Sequence, residues 1–261
     1  MIKKQKEDYM IQCKNEKGYI LSTKRNCESV LENEQTFLAY TKEKGKEIWG
    51  NVCKNEKQFP LVIQTREYDA ASPVMLHANG MKMIYILECK EDACMYLGPK
   101  YSLTKGDLKK RFKNNELLEV LDGVEVEEGS VFHIAEGTMY AMQGVRVLEI
   151  SENIGSSTYT MKDKMEKWVS YANLEPVNYD YGEEGGLIED EQAQTVVLSS
   201  NPLFIAFETK LNGKAEIGID EDSFGFIYVV NGDKKDEAYF IEAGNETVTM
   251  EGNYTYIFVR M

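Results

Sequence analysis

Two histidines, His77 and His133, are the residues of this chain whose side chains best suit a metal site. Imidazole and thiolate are donors that zinc favours, yet the five cysteines are scattered and form no Cys-x2-Cys pair. His133 stands between the apolar residues Phe132 and Ile134, and neighbours in a strand face opposite ways. We therefore expect His133 to lie at the surface or between packed layers rather than in a metal site.

A glycine-framed motif occurs twice, at Gly129 to Tyr140 and at Gly244 to Thr255. Each copy has a glycine, five residues, an apolar residue, a Glu-Gly pair, two residues and a polar end. The first copy, "GSVFHIAEGTMYAM", predicts a strand, a tight turn and a second strand. Because the second copy matches it without a gap, the pair predicts a repeated β unit with the same turn in each copy.

Strands predominate among the predicted elements around these motifs. Asn79-Gly80 predicts a tight hairpin turn between two strands, and alternating valines predict further strands around the first motif. Thr104 and Asp107 have the spacing of a capping box, which predicts a helix that ends at Gly123. The apolar spacing in "MKDKMEKWVSYA" predicts a short amphipathic helix.

These elements form two β-rich blocks. We expect an N-terminal domain over residues 1–172, with a helical insert near 104–122. The segment "NYDYGEEGGLIEDEQ" is rich in glycine and acid, so a linker is expected over 173–190. A C-terminal domain is then expected over 191–261.

Composition excludes several classes of partner. The net charge of −14 disfavours nucleic acid, whose phosphates need a basic face. No apolar run is long enough to span a membrane, and "MIKKQKEDYM" lacks the apolar core of a signal peptide. We therefore expect a cytoplasmic protein with reduced cysteines, no membrane partner and no nucleic-acid partner.

Several motifs, in their order and spacing, resemble the type I mannose-6-phosphate isomerases (phosphomannose isomerases), zinc enzymes of the cupin superfamily. "FPLVIQ" is similar to the family's Phe-Pro-Leu-Leu-Ile-Lys strand, and "VMLH" to its Val-Gln-Val-His. "KMIYIL" is similar to Glu-x-Trp-Tyr-Ile-Leu, and "GSVFHIAEGTMYAM" to Gly-Asp-x-Phe-x-Ile-Pro-Ala-Gly-Thr-Val-His-Ala-Ile. The resemblance is best over roughly residues 28–160. It implies a mainly β fold of two cupin-like β-barrels (jelly-rolls) with a small helical insert.

The resemblance also implies where the site lies. The family's four zinc ligands fall on Met75, His77, Lys82 and Tyr140, so His77 is the only ligand that survives. Thioether, ammonium and phenol groups match zinc poorly, and we expect no cofactor, although active family members use zinc. The family's catalytic arginine position holds Thr160.

A carbohydrate or sugar phosphate is the small-molecule partner that the resemblance implies. The expected pocket residues, which include the lysine of a family turn motif, are Met75, His77, Lys82, Lys100, Tyr140 and Thr160. Three of them also have a plainer interpretation: Lys82 and Lys100 as solvated lysines, and Tyr140 as a core tyrosine that fills the space of the metal.

Loss of both the metal ligands and the arginine predicts a metal-free, catalytically impaired protein that still binds its ligand. Two alternatives remain open. One is an active aldose–ketose isomerase, acting on mannose-6-phosphate and fructose-6-phosphate, with a non-standard site. The other is a structural or interaction protein whose barrel is filled.

Overall fold

The structure is a computed structural model of the 261-residue chain. It describes residues 10–15, 18–24, 29–155, 157–177, 187–189, 192–244 and 246–261. The described strands belong to two antiparallel sheets, and three short α-helices accompany them. The prediction of a mainly β fold is confirmed.

The chain divides into two compact units, and the division falls after Gln64 and again after Gly182. The first 64 residues thus group with the C-terminal part of the chain, whereas the boundaries expected from the sequence place them with residues up to 172. The strand Met10–Lys14 pairs with Ala238–Ile241 at the other end of the chain. Such a distant pairing leaves no local signal in the sequence. Of the expected linker, residues 178–186 and 190 lie outside the described residues, and Leu187–Glu189 is a strand.

The first unit is built on an eight-stranded sheet. In chain order its strands are β1 (Met10–Lys14), β3 (Val30–Leu31), β11 (Leu187–Glu189), β12 (Ala193–Ser200), β13 (Ile205–Ile219), β14 (Gly225–Gly232), β15 (Ala238–Ile241) and β16 (Glu246–Arg260). Their order across the sheet is β11-β12-β13-β16-β14-β15-β1-β3. The unit also contains β2 (Tyr19–Leu21) and α1 (Phe37–Lys44). The rings of Phe37, Phe59, Phe224 and Phe240 pack together in its core.

The second glycine-framed motif does not form the predicted turn. Gly252 lies inside β16, opposite Gly213 of β13, and the two strands pair without a break from Ile205 and Arg260 to Ile219 and Glu246. A Glu-Gly pair permits a turn but does not require one, and here β13 offers a partner to every residue of β16. The prediction of a strand-turn-strand repeat is therefore wrong for the second copy.

The second unit contains the predicted pocket residues. The chain enters it along β4 (Leu61–Tyr68), which begins in the first unit. The elements that follow are β5 (Met75–His77), β6 (Lys82–Pro99), α2 (Lys105–Asn114), β7 (Leu121–Glu125), β8 (Val131–His133), β9 (Met139–Glu152), β10 (Thr158–Thr160) and α3 (Met165–Tyr171). Strand β5 lies between β9 and β10, and β6 pairs with β7, β8 and β9. Because β5 and β6 are not paired to each other in the described residues, Asn79-Gly80 is not the predicted hairpin.

The pairing between β6 and β9 is long and strongly bent. Lys82 pairs with Ser151, and Leu97 pairs with Tyr140, with shifts in register between Ile86 and Cys94. A straight strand would separate positions 140 and 151 by about 36 Å. Irregular pairing bends and twists strands, and the bend lets residues from both ends of β9 face one interior.

Two helices lie in this unit where helices are predicted. Thr104 and Asp107 form the predicted capping box of α2, but the helix stops at Asn115, which has a left-handed backbone, rather than at Gly123. Gly123 instead belongs to β7. The predicted helix of "MKDKMEKWVSYA" is α3, and its Trp168 is fully buried against the unit's core.

Candidate functional site

The turn between β8 and β9 positions Tyr140. It has the strand, turn and strand that the first glycine-framed motif predicts. Gly137 has a φ of 83°, and a Cβ atom there would lie 2.9 Å from the carbonyl oxygen of Tyr171. This position therefore requires glycine. The N–H of Gly137 donates a hydrogen bond of 2.7 Å to the carbonyl of His77, which fixes the turn against β5.

Five of the six predicted pocket residues lie near one another on this part of the sheet. Met75 of β5 pairs with Tyr140 of β9 on one side and with Thr160 of β10 on the other. His77, two residues further along β5, lies on the same face as Met75. Lys82, at the start of β6, reaches Tyr140: its Nζ donates a hydrogen bond of 2.9 Å to the phenol oxygen.

Lys82 lies at the centre of a buried polar group that also contains Tyr140, Glu149 and Thr158; we call these four residues the Lys82 cluster. Its Nζ donates a hydrogen bond of 3.3 Å to Thr158 Oγ1 and lies 3.7 Å from Glu149 Oε2. The side chains of Lys82 and Glu149 are only 5% and 3% exposed. The interpretation of Lys82 as a solvated lysine is therefore wrong.

The charge state of Lys82 follows from these contacts. Burial disfavours the ammonium charge, but interaction with Tyr140 and Glu149 outweighs that effect, and the pKa of Lys82 is raised. Lys82 is thus protonated at neutral pH and forms a buried ion pair with Glu149. A protonated lysine donates hydrogen bonds and stabilises negative charge, but it has no lone pair with which to attack a carbonyl group.

The Nε2 atom of His77 is hydrogen-bonded to the backbone and is therefore not available to bind a metal. The residue is fully buried, and Nε2 lies 2.7 Å from the carbonyl oxygen of Gly80. A carbonyl only accepts, so Nε2 carries the proton in this contact. Burial, with the positive charge of Lys82 acting in the same direction, lowers the pKa of His77. The imidazole is therefore neutral at pH 7, with its Nε2 proton bound to the backbone.

Thr160, which the resemblance places at the family's arginine position, uses its hydroxyl within the local turn. Thr160 Oγ1 donates a hydrogen bond of 3.1 Å to Asp163 Oδ2, and the Thr160 N–H donates to the same oxygen at 2.7 Å. The carbonyl of Thr160 accepts a hydrogen bond of 3.1 Å from the Trp168 indole. Thr160 thus fixes the turn that leads into α3.

Three residues in or beside the Lys82 cluster are partly exposed. Met75 and Tyr68 are half-buried and pack against the apolar cluster that includes Tyr140. Thr158, a member of the Lys82 cluster, is also half-buried, although its hydroxyl reaches Lys82. Solvent therefore reaches part of Thr158, whereas Lys82, Tyr140 and Glu149 are buried.

The two remaining candidates lie outside this group. Lys100 is exposed, and its Nζ lies 3.5 Å from the carbonyl oxygen of Glu119. His133 is exposed, whereas Phe132 and Ile134 beside it are buried. The structure thus places His133 at the surface, one of the two locations predicted for it.

Zinc is the metal that the resemblance implies, and the residues present do not fit it. The four positions offer a thioether, an imidazole whose Nε2 is bound to Gly80, a protonated amine and a phenol. A protonated amine has no lone pair for a metal and repels a dication. In the part of the chain that the structure describes, three or more His, Cys, Asp or Glu side chains are nowhere grouped as metal ligands would be.

Three residues of the site were not predicted from the sequence. Glu149 follows Val145 and Val147 at alternate positions in β9, and an acid in a buried apolar row needs a cation. That pattern could have identified Glu149 as the partner of a buried lysine. Thr158 and Tyr68 carried no such signal, because their nearness to Lys82 depends on pairings between distant strands.

Comparisons with known proteins identify the fold. No family model matches the chain, and no curated protein matches its sequence. Among solved structures, the mannose 6-phosphate isomerase from Bacillus subtilis aligns with a TM-score of 0.82 at 18% identity, over 97% of this chain and 100% of that chain.

The corresponding isomerase from Salmonella typhimurium aligns in its apo form with a TM-score of 0.70 at 11% identity, over 96% of this chain and 98% of that one. A second structure of that enzyme, bound to fructose-6-phosphate and zinc, aligns with a TM-score of 0.69 at 12% identity, over 96% and 99%. In the described residues, none of the helices combines the length and apolar character needed to cross a bilayer.

The alignments with these isomerases extend over nearly the whole of both chains. They show that this chain has the cupin-type fold of the mannose-6-phosphate isomerases.

Proposed function

We propose that this protein is a metal-independent, mannose-6-phosphate isomerase-like cupin that binds a carbohydrate or sugar phosphate without isomerising it. The observation that carries the proposal is the position of the Lys82 ammonium. It lies among side chains that the family resemblance assigns to the metal, 2.9 Å from Tyr140 Oη and 3.7 Å from Glu149 Oε2. An internal cation then replaces the bound one.

The same contacts explain why turnover is not expected. Isomerisation of an aldose to a ketose moves a proton between C1 and C2 while a cation stabilises the enediolate that forms. The charge of Lys82 is already balanced by Glu149, and Thr160 at the arginine position supplies a hydroxyl that is bound to Asp163. Neither group is left to stabilise a developing oxyanion.

Two observations support ligand binding. The Salmonella enzyme of the same fold is bound to its substrate, fructose-6-phosphate. In this chain, the half-buried residues Thr158, Met75 and Tyr68 lie in or beside the Lys82 cluster, and hydroxyl and carboxylate groups are suited to sugar hydroxyls. We further propose a cytoplasmic location, which suits the free thiols Cys13, Cys53, Cys89 and Cys94.

Metal content and turnover test the proposal together. Protein purified without added metal is analysed for bound zinc, and fructose-6-phosphate formation from mannose-6-phosphate is followed with a coupled assay. We expect zinc well below one equivalent and no turnover above the buffer rate, with or without added zinc. Stoichiometric zinc together with turnover would establish the alternative of an active isomerase with a non-standard site.

A second candidate, a structural protein with a filled interior, is favoured by the low exposure of Lys82 and Glu149. Thermal unfolding with millimolar mannose-6-phosphate or fructose-6-phosphate separates the two functions, because a ligand that binds only the folded state raises the unfolding temperature. A rise that saturates with concentration supports ligand binding. The same temperature with and without either sugar phosphate supports the filled interior.

A further inference from the structure

Tyr68 carries a buried hydroxyl whose proton has no acceptor in the described residues. The residue is on β4, and its ring is half-buried against the apolar cluster that contains Tyr140. Its Oη atom is buried, and the hydrogen-bonding side chain beside it, that of Arg66, can only donate. Buried polar groups are nearly always paired, so a buried donor without an acceptor calls for a partner such as a ligand.

The surroundings of this hydroxyl are those of the Lys82 cluster. Burial raises the pKa of Tyr68, and the negative charge of Glu149 adds to that rise, whereas the positive charge of nearby Arg66 opposes it. Tyr140 also raises the pKa of Tyr68, and the positive charge of Arg66 lowers the pKa of Lys82. Tyr68 therefore lies near the Lys82 cluster, and its hydroxyl is buried.

We propose that the Tyr68 hydroxyl donates a hydrogen bond to a hydroxyl oxygen of the bound sugar. The inference rests on the proposed function and names the part of the ligand that enters the site. A sugar hydroxyl both accepts and donates, so it can accept from Tyr68 while it donates to the carboxylate of Glu149. A phosphate dianion has no proton to donate to the carboxylate of Glu149, and the charge of Lys82 that could attract it is already balanced by Glu149. The polyol end of a sugar phosphate thus faces the Lys82 cluster.

The test compares Tyr68→Phe with Tyr159→Phe as a matched control. Tyr159 is on β10 but belongs to the other apolar cluster of the unit, beside Tyr171. Calorimetric titration measures the affinity of each variant for mannose-6-phosphate and for fructose-6-phosphate. We expect Tyr68→Phe to weaken binding by about tenfold or more, the effect of a lost ligand hydrogen bond. Tyr159→Phe is expected to bind as the unchanged protein does.

Thermal unfolding of the ligand-free proteins completes the test. Because the Tyr68 O–H proton has no acceptor to lose in the described residues, Tyr68→Phe should unfold at about the same temperature as the unchanged protein. A clearly lower temperature would mean that the hydroxyl already donates a hydrogen bond inside the protein, which overturns the inference. Equal affinities for Tyr68→Phe and the unchanged protein overturn the inference and leave the proposed function intact. If the unchanged protein binds neither sugar phosphate, both fall.

Discussion

The Lys82 ammonium donates a hydrogen bond of 2.9 Å to the Tyr140 hydroxyl, although the two residues belong to opposite ends of the β6–β9 pairing. Only a strongly bent sheet brings these ends together. The contact therefore joins the fold to the chemistry of the site: the bend in this sheet holds the Lys82 ammonium against the Tyr140 hydroxyl.

Replacement of Lys82 by methionine should destabilise the protein strongly. Methionine has a similar length but no charge, so the change leaves Glu149 as a buried carboxylate without its cation. Removing one partner of a buried ion pair costs about 3–5 kcal/mol. Urea unfolding at pH 7 measures the loss. The double variant Lys82→Met, Glu149→Leu should recover part of it, because an apolar pair of similar volume replaces the charges.

The control for that experiment is Lys90→Met on the same strand. Lys90 forms ion pairs with Asp69 and Glu67, but its side chain is 52% exposed. Water screens exposed pairs, and we expect little change in stability. If Lys82→Met were tolerated as well as Lys90→Met, Lys82 would not hold the buried charge that we assign to it.

Acidification should destabilise the fold through His77. Its pKa is lowered in the folded protein, so the unfolded chain takes up a proton near pH 6.5 that the folded chain does not. Stability therefore falls as the pH drops below about 6.5, by at most about 1.4 kcal/mol per pH unit for one group. Urea unfolding at pH 7.5 and 5.5 should show a smaller fall in His77→Gln than in the unchanged protein.

Glutamine is chosen because its amide N–H can still donate to the Gly80 carbonyl. His133→Gln is the natural control, since His133 is the second of the two histidines and is exposed. Its acid-induced loss of stability should follow that of the unchanged protein. Identical losses in both variants would exclude His77 as the source of the pH dependence.

Gly137 and Gly106 should respond oppositely to alanine. At Gly137 the backbone has a φ of 83° and a Cβ atom would contact the Tyr171 carbonyl, so Gly137→Ala should cost about 1–3 kcal/mol. Gly106 lies in α2, and its nearest neighbour would be 3.5 Å from a new Cβ atom. Gly106→Ala should stabilise by about 0.5–1 kcal/mol. Thermal or urea unfolding measures the stability of both variants. If Gly137→Ala is as stable as the unchanged protein, the turn does not require glycine at this position.

Local features of the fold could be predicted from the sequence, whereas distant pairings could not. The capping box of Thr104 and Asp107 and the turn at Gly137 depend on residues close in the chain, and both occur as predicted. The same reasoning fails for Gly252, because the long partner strand β13 keeps that glycine paired within β16. Nothing near Met10 in the sequence indicates that β1 pairs with β15.

The candidate site, too, could be predicted from the sequence only in part. Family resemblance identifies Met75, His77, Lys82 and Tyr140, and these residues do come together. It does not indicate that Lys82 is buried, since that depends on the bend in β6 and on a carboxylate from the far end of β9. Tyr68 is identified only in the folded chain, by a buried hydroxyl whose proton has no acceptor in the described residues.

Metal-independent binding of a sugar phosphate is the central proposal, and titration of metal-stripped protein tests it most directly. The protein is dialysed against EDTA, and the affinity for mannose-6-phosphate is measured by calorimetry before and after zinc is added back. We predict saturable binding whose affinity is the same in EDTA and in zinc, because the protonated Lys82 and the residues around it offer no ligand set for zinc. Binding that disappears in EDTA and returns with zinc would contradict this proposal.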